Sequence, residues 1–121
     1  MKILKTRLFH KWARKEGLPD TSLRQAIEEM EQGLIDANLG GSVYKKRIAV
    51  RGQGKRGSVR TIIAFKVEDS AFFIYGFAKN KQGNVGNREL KALKRLAREL
   101  FNYSAQELSR AIEAGELFEV N

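Results

Sequence analysis

Cysteine is absent from this 121-residue sequence, so neither a disulfide framework nor a thiolate-held metal site can form. A single histidine, His10, removes most imidazole-based zinc sites as well. No apolar run approaches the ~20 residues of a membrane span. The opening segment MKILKTRLFHKW lacks the apolar stretch and small-residue cleavage site of a signal peptide. Proline occurs once and the sequence shows no linker, repeat or low-complexity tract, so one domain over residues 1–121 is expected. The reading is a cytoplasmic protein with no metal, no other cofactor and no membrane partner. A hydrophobic content of 42% supplies a modest core and argues against a disordered chain.

Acid is scarce in one place. Residues 1–36 carry seven basic and six acidic side chains, and residues 89–121 carry five and six, so the two ends cancel. The middle, 37–88, sets eleven basic residues against Glu68 and Asp69 and therefore holds the whole net charge of +9. Within it, Tyr44 to Arg60 (YKKRIAVRGQGKRGSVR) has seven positive charges and no acid. Lysine and arginine displace counterions from phosphates, so a surplus confined to one segment points to a polyanion. The plain alternative is a solvated charge run that aids solubility. A membrane surface fits less well, because the segment reads as strand and not as a basic amphipathic helix.

Residues 2–6 form a candidate strand. Leu8, Phe9, Trp12 and Ala13 then fall at helical spacing up to Gly17. Pro19-Asp20-Thr21-Ser22 opens a second helix, with Leu23, Ala26, Ile27 and Met30 on one face and Gly33 at its end. The period then changes. Val43–Arg51, Ser58–Val67 and Ala71–Ala78 read as three strands of an antiparallel meander. After a polar loop, Leu90, Leu93, Leu96, Ala97, Leu100 and Phe101 make one helical stripe. Ser104-Ala105-Gln106-Glu107 resembles a capping box opening a last helix that stops at Gly115, with Glu116–Val120 as a small strand or extended tail. The fold class is α+β, with helices on one sheet face and the basic residues on the other, free face.

Lys45 and Arg47 stand two apart on a strand and so share a face, and Arg60 heads the next strand. Arg51, Lys55 and Arg56 flank or occupy the glycine-rich turn between them, and Lys79 and Lys81 follow the third strand. In a meander these positions can converge on one phosphate-binding surface. The turn GQGKRG is no nucleotide-binding P-loop, because Arg56 replaces the required Ser or Thr and a strand follows instead of a helix. Phe73, Tyr75 and Phe77 alternate along the third strand and so are expected to share one face, where stacking on bases competes with packing in the core. Tyr75 is the candidate for base contact, since its hydroxyl needs a polar partner. Histidine and carboxylate chemistry find no support in the basic segment, and with no acidic cluster a two-metal nuclease is not expected.

The order helix, helix, three-stranded meander, helix resembles the RelE/ParE superfamily of bacterial type II toxins, nearer its RelE/HigB-like branch. The matching stretches are Leu39-Gly40-Gly41, Tyr44-Lys45-Lys46-Arg47-Ile48, Gly52-Gln53-Gly54-Lys55-Arg56-Gly57, Arg60-Thr61-Ile62-Ile63 and Phe73-Ile74-Tyr75-Gly76-Phe77-Ala78-Lys79. The resemblance implies a metal-independent endoribonuclease that cuts mRNA on the ribosome. It also implies a cognate antitoxin, commonly a helix-turn-helix protein. The implied reaction transfers the phosphodiester to the ribose 2′-OH, which needs a base, cations for the phosphorane charge and a donor to the leaving oxygen. By position, the resemblance makes Lys45, Arg47, Arg60 and Lys79 the catalytic set, with Lys45 as base and Arg60 as phosphate stabiliser. A lysine crowded by cations can act as a base near neutrality. Arg51, Lys55, Arg56, Tyr75 and Lys81 are the RNA-binding candidates. Ser58-Val59 stand where relatives commonly carry Gly-Tyr or Gly-Gly, and Asn80-Lys81 where some carry Arg, Tyr or His, so no general acid is identified. The alternatives are a non-catalytic RNA- or partner-binding module of this fold and a ParE-like gyrase inhibitor. The set Lys45, Arg47 and Arg60 speaks against the latter.

Overall fold

The computed structural model describes residues 1–50, 57–78 and 83–121. Its elements run β1 (Lys2–Thr6), α1 (Arg7–Glu16), α2 (Asp20–Glu31), β2 (Ala37–Gly40), β3 (Val43–Ala49), β4 (Ser58–Lys66), β5 (Ser70–Phe77), α3 (Asn87–Phe101), α4 (Ala105–Glu113) and β6 (Leu117–Glu119). The strands form one sheet in the order β2-β3-β4-β5-β1-β6. The meander expected from the sequence is present, with β3, β4 and β5 antiparallel to one another, and β2 extends it at one edge. β1 joins the other side parallel to β5, and β6 closes that edge antiparallel to β1. The sheet is therefore mixed.

Local signals set the helix ends. The Thr6 hydroxyl accepts the Phe9 N–H at the start of α1, and Gly17 ends it at φ +75°, a conformation open to glycine. At α4, Ser104 and Glu107 exchange the two bonds of a capping box.

The expectation of helices on a single sheet face is corrected. α1 and α2 place Phe9, Leu23, Ile27 and Met30 against Ile48, Val59, Ile63, Phe65 and Phe73. α3 and α4 place Ala97, Leu100, Leu108 and Ala111 against Val43, Ile62, Ala64, Phe72 and Ile74. Adjacent residues such as Ile62 and Ile63, or Phe72 and Phe73, thus enter opposite cores, and all four are buried. Burial on both faces is what makes central strands read as continuous apolar runs instead of alternating ones.

A bulge in β5 corrects a second expectation. Ile62 pairs with Tyr75 but Ile63 pairs with Phe73, so one residue of β5 is inserted between them. Phe73 consequently faces α1 and α2, whereas Tyr75 and Phe77 pack toward α3 and α4. The three aromatics do not share a face. Just beyond the bulge, Trp12 of α1 lies on Gly76, where an added Cβ would come within 2.2 Å of the indole ring.

Candidate functional site

Strand β3 sorts the run Lys45-Lys46-Arg47 by its alternation. Tyr44, Lys46 and Ile48 point toward α2, and Val43, Lys45 and Arg47 point to the other face. Lys46 is buried, and its ammonium has two partners there: Glu29 Oε1 at 2.7 Å and the Leu34 carbonyl at 3.0 Å. The bond from Lys46 holds the Glu29 carboxyl below its ordinary value, ahead of the opposing effect of burial. Beside it, the fully buried Thr61 donates its hydroxyl to the Lys46 carbonyl at 2.8 Å. Lys46 therefore belongs to the scaffold, fastening β3 to α2.

Its two neighbours do the opposite. Lys45 is half-buried, Arg47 is exposed, and neither side chain has an acidic partner. The register sets Arg47 directly opposite Arg60, with Phe77 beyond, and Lys45 opposite Ile62, with Tyr75 beyond. Lys45, Arg47, Arg60 and Tyr75 thus lie in two adjacent rows on one sheet face. Residues further along that face, Val43, Ala64 and Phe72, are buried under α3 and α4. The cations lie beyond those residues on the same face, in rows whose apolar members Ile62 and Phe77 are themselves buried.

Like charges directly opposite on neighbouring strands are destabilising. Among the described residues the ion pairs are Lys5–Asp20 and Lys46–Glu29, so no carboxylate offsets Arg47 and Arg60. The contact found for the Arg60 guanidinium is a long one, 3.5 Å from Nη1 to the Ser58 hydroxyl. The nearby Asp36 carboxylate is occupied by the Arg47 backbone N–H, and the Asp36 N–H donates to the Lys45 carbonyl at 3.1 Å. Asp36 therefore fixes the β3 backbone and leaves the side-chain charges unpaired. An arrangement of this kind is suited to an anion with several oxygens, which planar guanidinium groups meet two bonds at a time.

Tyr75 is half-buried, and its hydroxyl donates to Glu89 Oε2 at 3.3 Å. Glu89 also accepts the Gly86 N–H at 3.3 Å, so one carboxylate ties the start of α3 to the site row. Sequence reading gave Glu89 no role. The sequence carries its signal, an acid three residues after the turn that opens a helix.

Arg51, Lys55, Arg56, Lys79 and Lys81 lie outside the described residues. Among the described residues no group of three or more His, Asp or Glu is placed to hold a metal. No helix there is long and apolar enough to cross a membrane. His10, given no role from sequence, stacks on Phe118 at 4.0 Å between ring centroids, on α1 and far from the site row in sequence. A groove of about 350 Å³ opens between β5, α3 and α4, lined by Leu8, Ile74, Leu96 and Leu100 among others, and none of the three strand cations borders it.

No curated protein matches the chain. The family model described as "RelE toxin of RelE / RelB toxin-antitoxin system" matches residues 1–120. A toxin of such a system has a cognate antitoxin as its partner. With all but the last residue inside the match, the chain belongs to the RelE toxin family.

Proposed function

We propose that this toxin is an endoribonuclease of the HigB-like kind, cutting mRNA on translating ribosomes in the cytoplasm, and that the face bearing Lys45, Arg47 and Arg60 is its active site. The observation that carries the reading is the Arg47–Arg60 register, with Lys45 on the same face and no carboxylate to neutralise the three. In the reaction the ribose 2′-oxygen attacks the adjacent phosphorus and the P–O5′ bond breaks. The products are a 2′,3′-cyclic phosphate and a 5′-hydroxyl. Lys45 takes the 2′-OH proton, and Arg47 and Arg60 hold the two charged phosphorane oxygens. Lys79, next after Ala78 in the chain, contributes a further cation. Arg51, Lys55, Arg56, Lys81 and Tyr75 hold the RNA to either side of the cleaved bond. The proton for the leaving oxygen has no assigned donor. A helix-turn-helix antitoxin neutralises the activity.

The reaction needs no metal in this scheme, because the cations supply the charge stabilisation. Cleavage is expected to survive chelation by EDTA when ribosomes are kept intact separately. Activity lost with chelation and restored by a divalent ion contradicts the scheme.

The test is expression without antitoxin of the wild type and of Arg60→Lys, followed by growth and by mapping of mRNA 5′ ends. Lysine keeps the charge but not the two-bond grip, so RNA binding is largely retained. An oxyanion-type contact is worth roughly 3–4 kcal/mol, so cleavage should fall by about 10²–10³. A harmless wild type that creates no new ends defeats the enzyme reading and favours a binding module. An Arg60→Lys variant as toxic as wild type moves the site elsewhere.

A further inference from the structure

Of the described acids, Asp36 and Glu89 bond to residues of the two site rows. Asp36 does so through backbone, at Lys45 and Arg47. Glu68 and Asp69 sit in the turn between β4 and β5, at the opposite end of β5 from Tyr75. Glu89 is different. It is exposed, in the first turn of α3, and its Oε2 accepts the Tyr75 hydroxyl at 3.3 Å. Tyr75 pairs with Ile62 and Ile62 with Lys45, so the carboxylate stands at the end of the Lys45 row. Nor is it an ordinary cap. At α4, Glu107 bonds the Ser104 N–H at 2.8 Å and the Ser104 hydroxyl accepts the Glu107 N–H at 3.1 Å. At α3 the N-cap is Gly86, which has no hydroxyl to complete such an exchange, and its N–H reaches Glu89 Oε1 at a longer 3.3 Å. Glu89 takes no part in the ion pairs found among the described residues, although Arg88 and Lys91 stand beside it on α3.

We propose that Glu89, with the Tyr75 ring beside it, is a specificity-determining residue that reads the Watson–Crick edge of an unpaired guanine in the bound RNA. This rests on the RNA-directed reading above. A carboxylate repels phosphate, so what RNA offers it are O–H and N–H donors, and the donors that carry sequence lie on base edges. An ionised carboxylate has about four lone-pair sites. Here each oxygen accepts one bond, from Gly86 and from Tyr75, which leaves two acceptors side by side. Guanine matches that pattern with N1–H and N2–H, two adjacent donors. Adenine and cytosine set a ring-nitrogen acceptor beside the amino group, and uracil sets a carbonyl on either side of N3–H. Each of those bases brings a lone pair against the carboxylate, and a ribose 2′-OH offers a single donor. Bases in single strands are held by stacking on aromatic side chains while their edges are hydrogen-bonded. Tyr75, half-buried and bonded to the same carboxylate, supplies the ring.

The experiment measures binding of the purified protein to short single-stranded RNAs that are uridine throughout except for one central guanosine, inosine or adenosine. Inosine is guanosine without the N2 amino group, so the comparison removes one donor and keeps the ring. Wild type is expected to bind the guanosine strand at least about fivefold more tightly than either of the others. Glu89→Gln keeps an oxygen for the Gly86 N–H but sets amide hydrogens against the base edge, so it should bind the three strands alike. Equal binding of the three strands by wild type, or no binding, overturns the inference. So does a guanosine preference that survives in Glu89→Gln with unchanged circular dichroism. The wild-type comparison needs no variant and does not depend on how Glu89→Gln folds. Failure of the nuclease reading is distinct: it leaves the guanosine preference intact while wild type produces no new mRNA ends in cells.

Discussion

Two adjacent lysines on β3 have opposite fates, and the difference is a matter of which face each side chain meets. Lys46 is enclosed and hydrogen-bonded, whereas Lys45 stands beside two unpaired guanidinium groups. Removing Lys46 forfeits two bonds and packed methylenes, so Lys46→Ala should lower stability by about 1–3 kcal/mol. Lys45→Ala should leave thermal unfolding near wild type while cleavage collapses. Chemical denaturation and cleavage assays on both variants check this crossed pattern; equal loss of stability in both would erase the distinction. Gly76 gives a second residue-scale test. Its alanine variant drives a methyl into the Trp12 ring and should cost about 1–3 kcal/mol. Part of that loss should return when Trp12→Leu is added, as measured by the denaturation midpoint.

At the scale of elements, the meander, the helices and the sharing of a face by Lys45 and Arg47 were legible from periodicity and spacing. Other features were not read. The continuous apolar runs Ile62-Ile63-Ala64-Phe65 and Ala71-Phe72-Phe73-Ile74 carried the signature of strands covered on both sides, yet a single helical layer was expected. The parallel seat of β1 beside β5 has no local signal, because it depends on how the N- and C-terminal segments meet in space. The β5 bulge likewise breaks strict alternation without a glycine or proline at the inserted position, so Phe73 was grouped with Tyr75 and Phe77. Register explains why the Arg47–Arg60 pairing came only with the structure: the strand boundaries were readable, the alignment between strands was not.

The N-terminal layer also has a pH dependence that follows from its contacts. Lys5, 6% exposed, bonds Asp20 at 2.7 Å, and the Asn121 N–H donates to the same carboxyl at 3.0 Å. Burial alone would raise Asp20, but those two donors outweigh it and hold the group below its ordinary 3.8. Desolvation, then the charges of Lys5 and Arg14, hold His10 below its ordinary 6.5 against the pull of Asp20. For a group lowered by folding, stability is complete above the unfolded value and is lost as pH falls through the folded one. Stability should therefore begin to decline below pH 6.5 through His10 and decline again below 3.8 through Asp20. Urea midpoints across pH 3–8 for wild type, His10→Phe and Asp20→Asn check the assignment. His10→Phe should flatten the upper part of the curve and Asp20→Asn the lower; curves parallel to wild type would refute it.

For the molecule as a whole, the charge is segregated by fold as well as by sequence. Three cations lie together on strands β3 and β4, α3 packs on the same sheet face and carries four more exposed ones, and most of the C-terminal glutamates follow α3 in the chain. Membership of the RelE toxin family gives the protein its antitoxin and its role as a toxin; the reaction proposed for it rests on the unpaired cations. The end chemistry of cleaved mRNA tests that most directly. Wild-type protein expressed without antitoxin should generate new mRNA 5′ ends that carry a hydroxyl, ligatable only after phosphorylation by a kinase. New ends bearing a 5′-phosphate would mean that the P–O3′ bond is broken and water is the nucleophile, and a site built to direct the ribose 2′-oxygen would be contradicted.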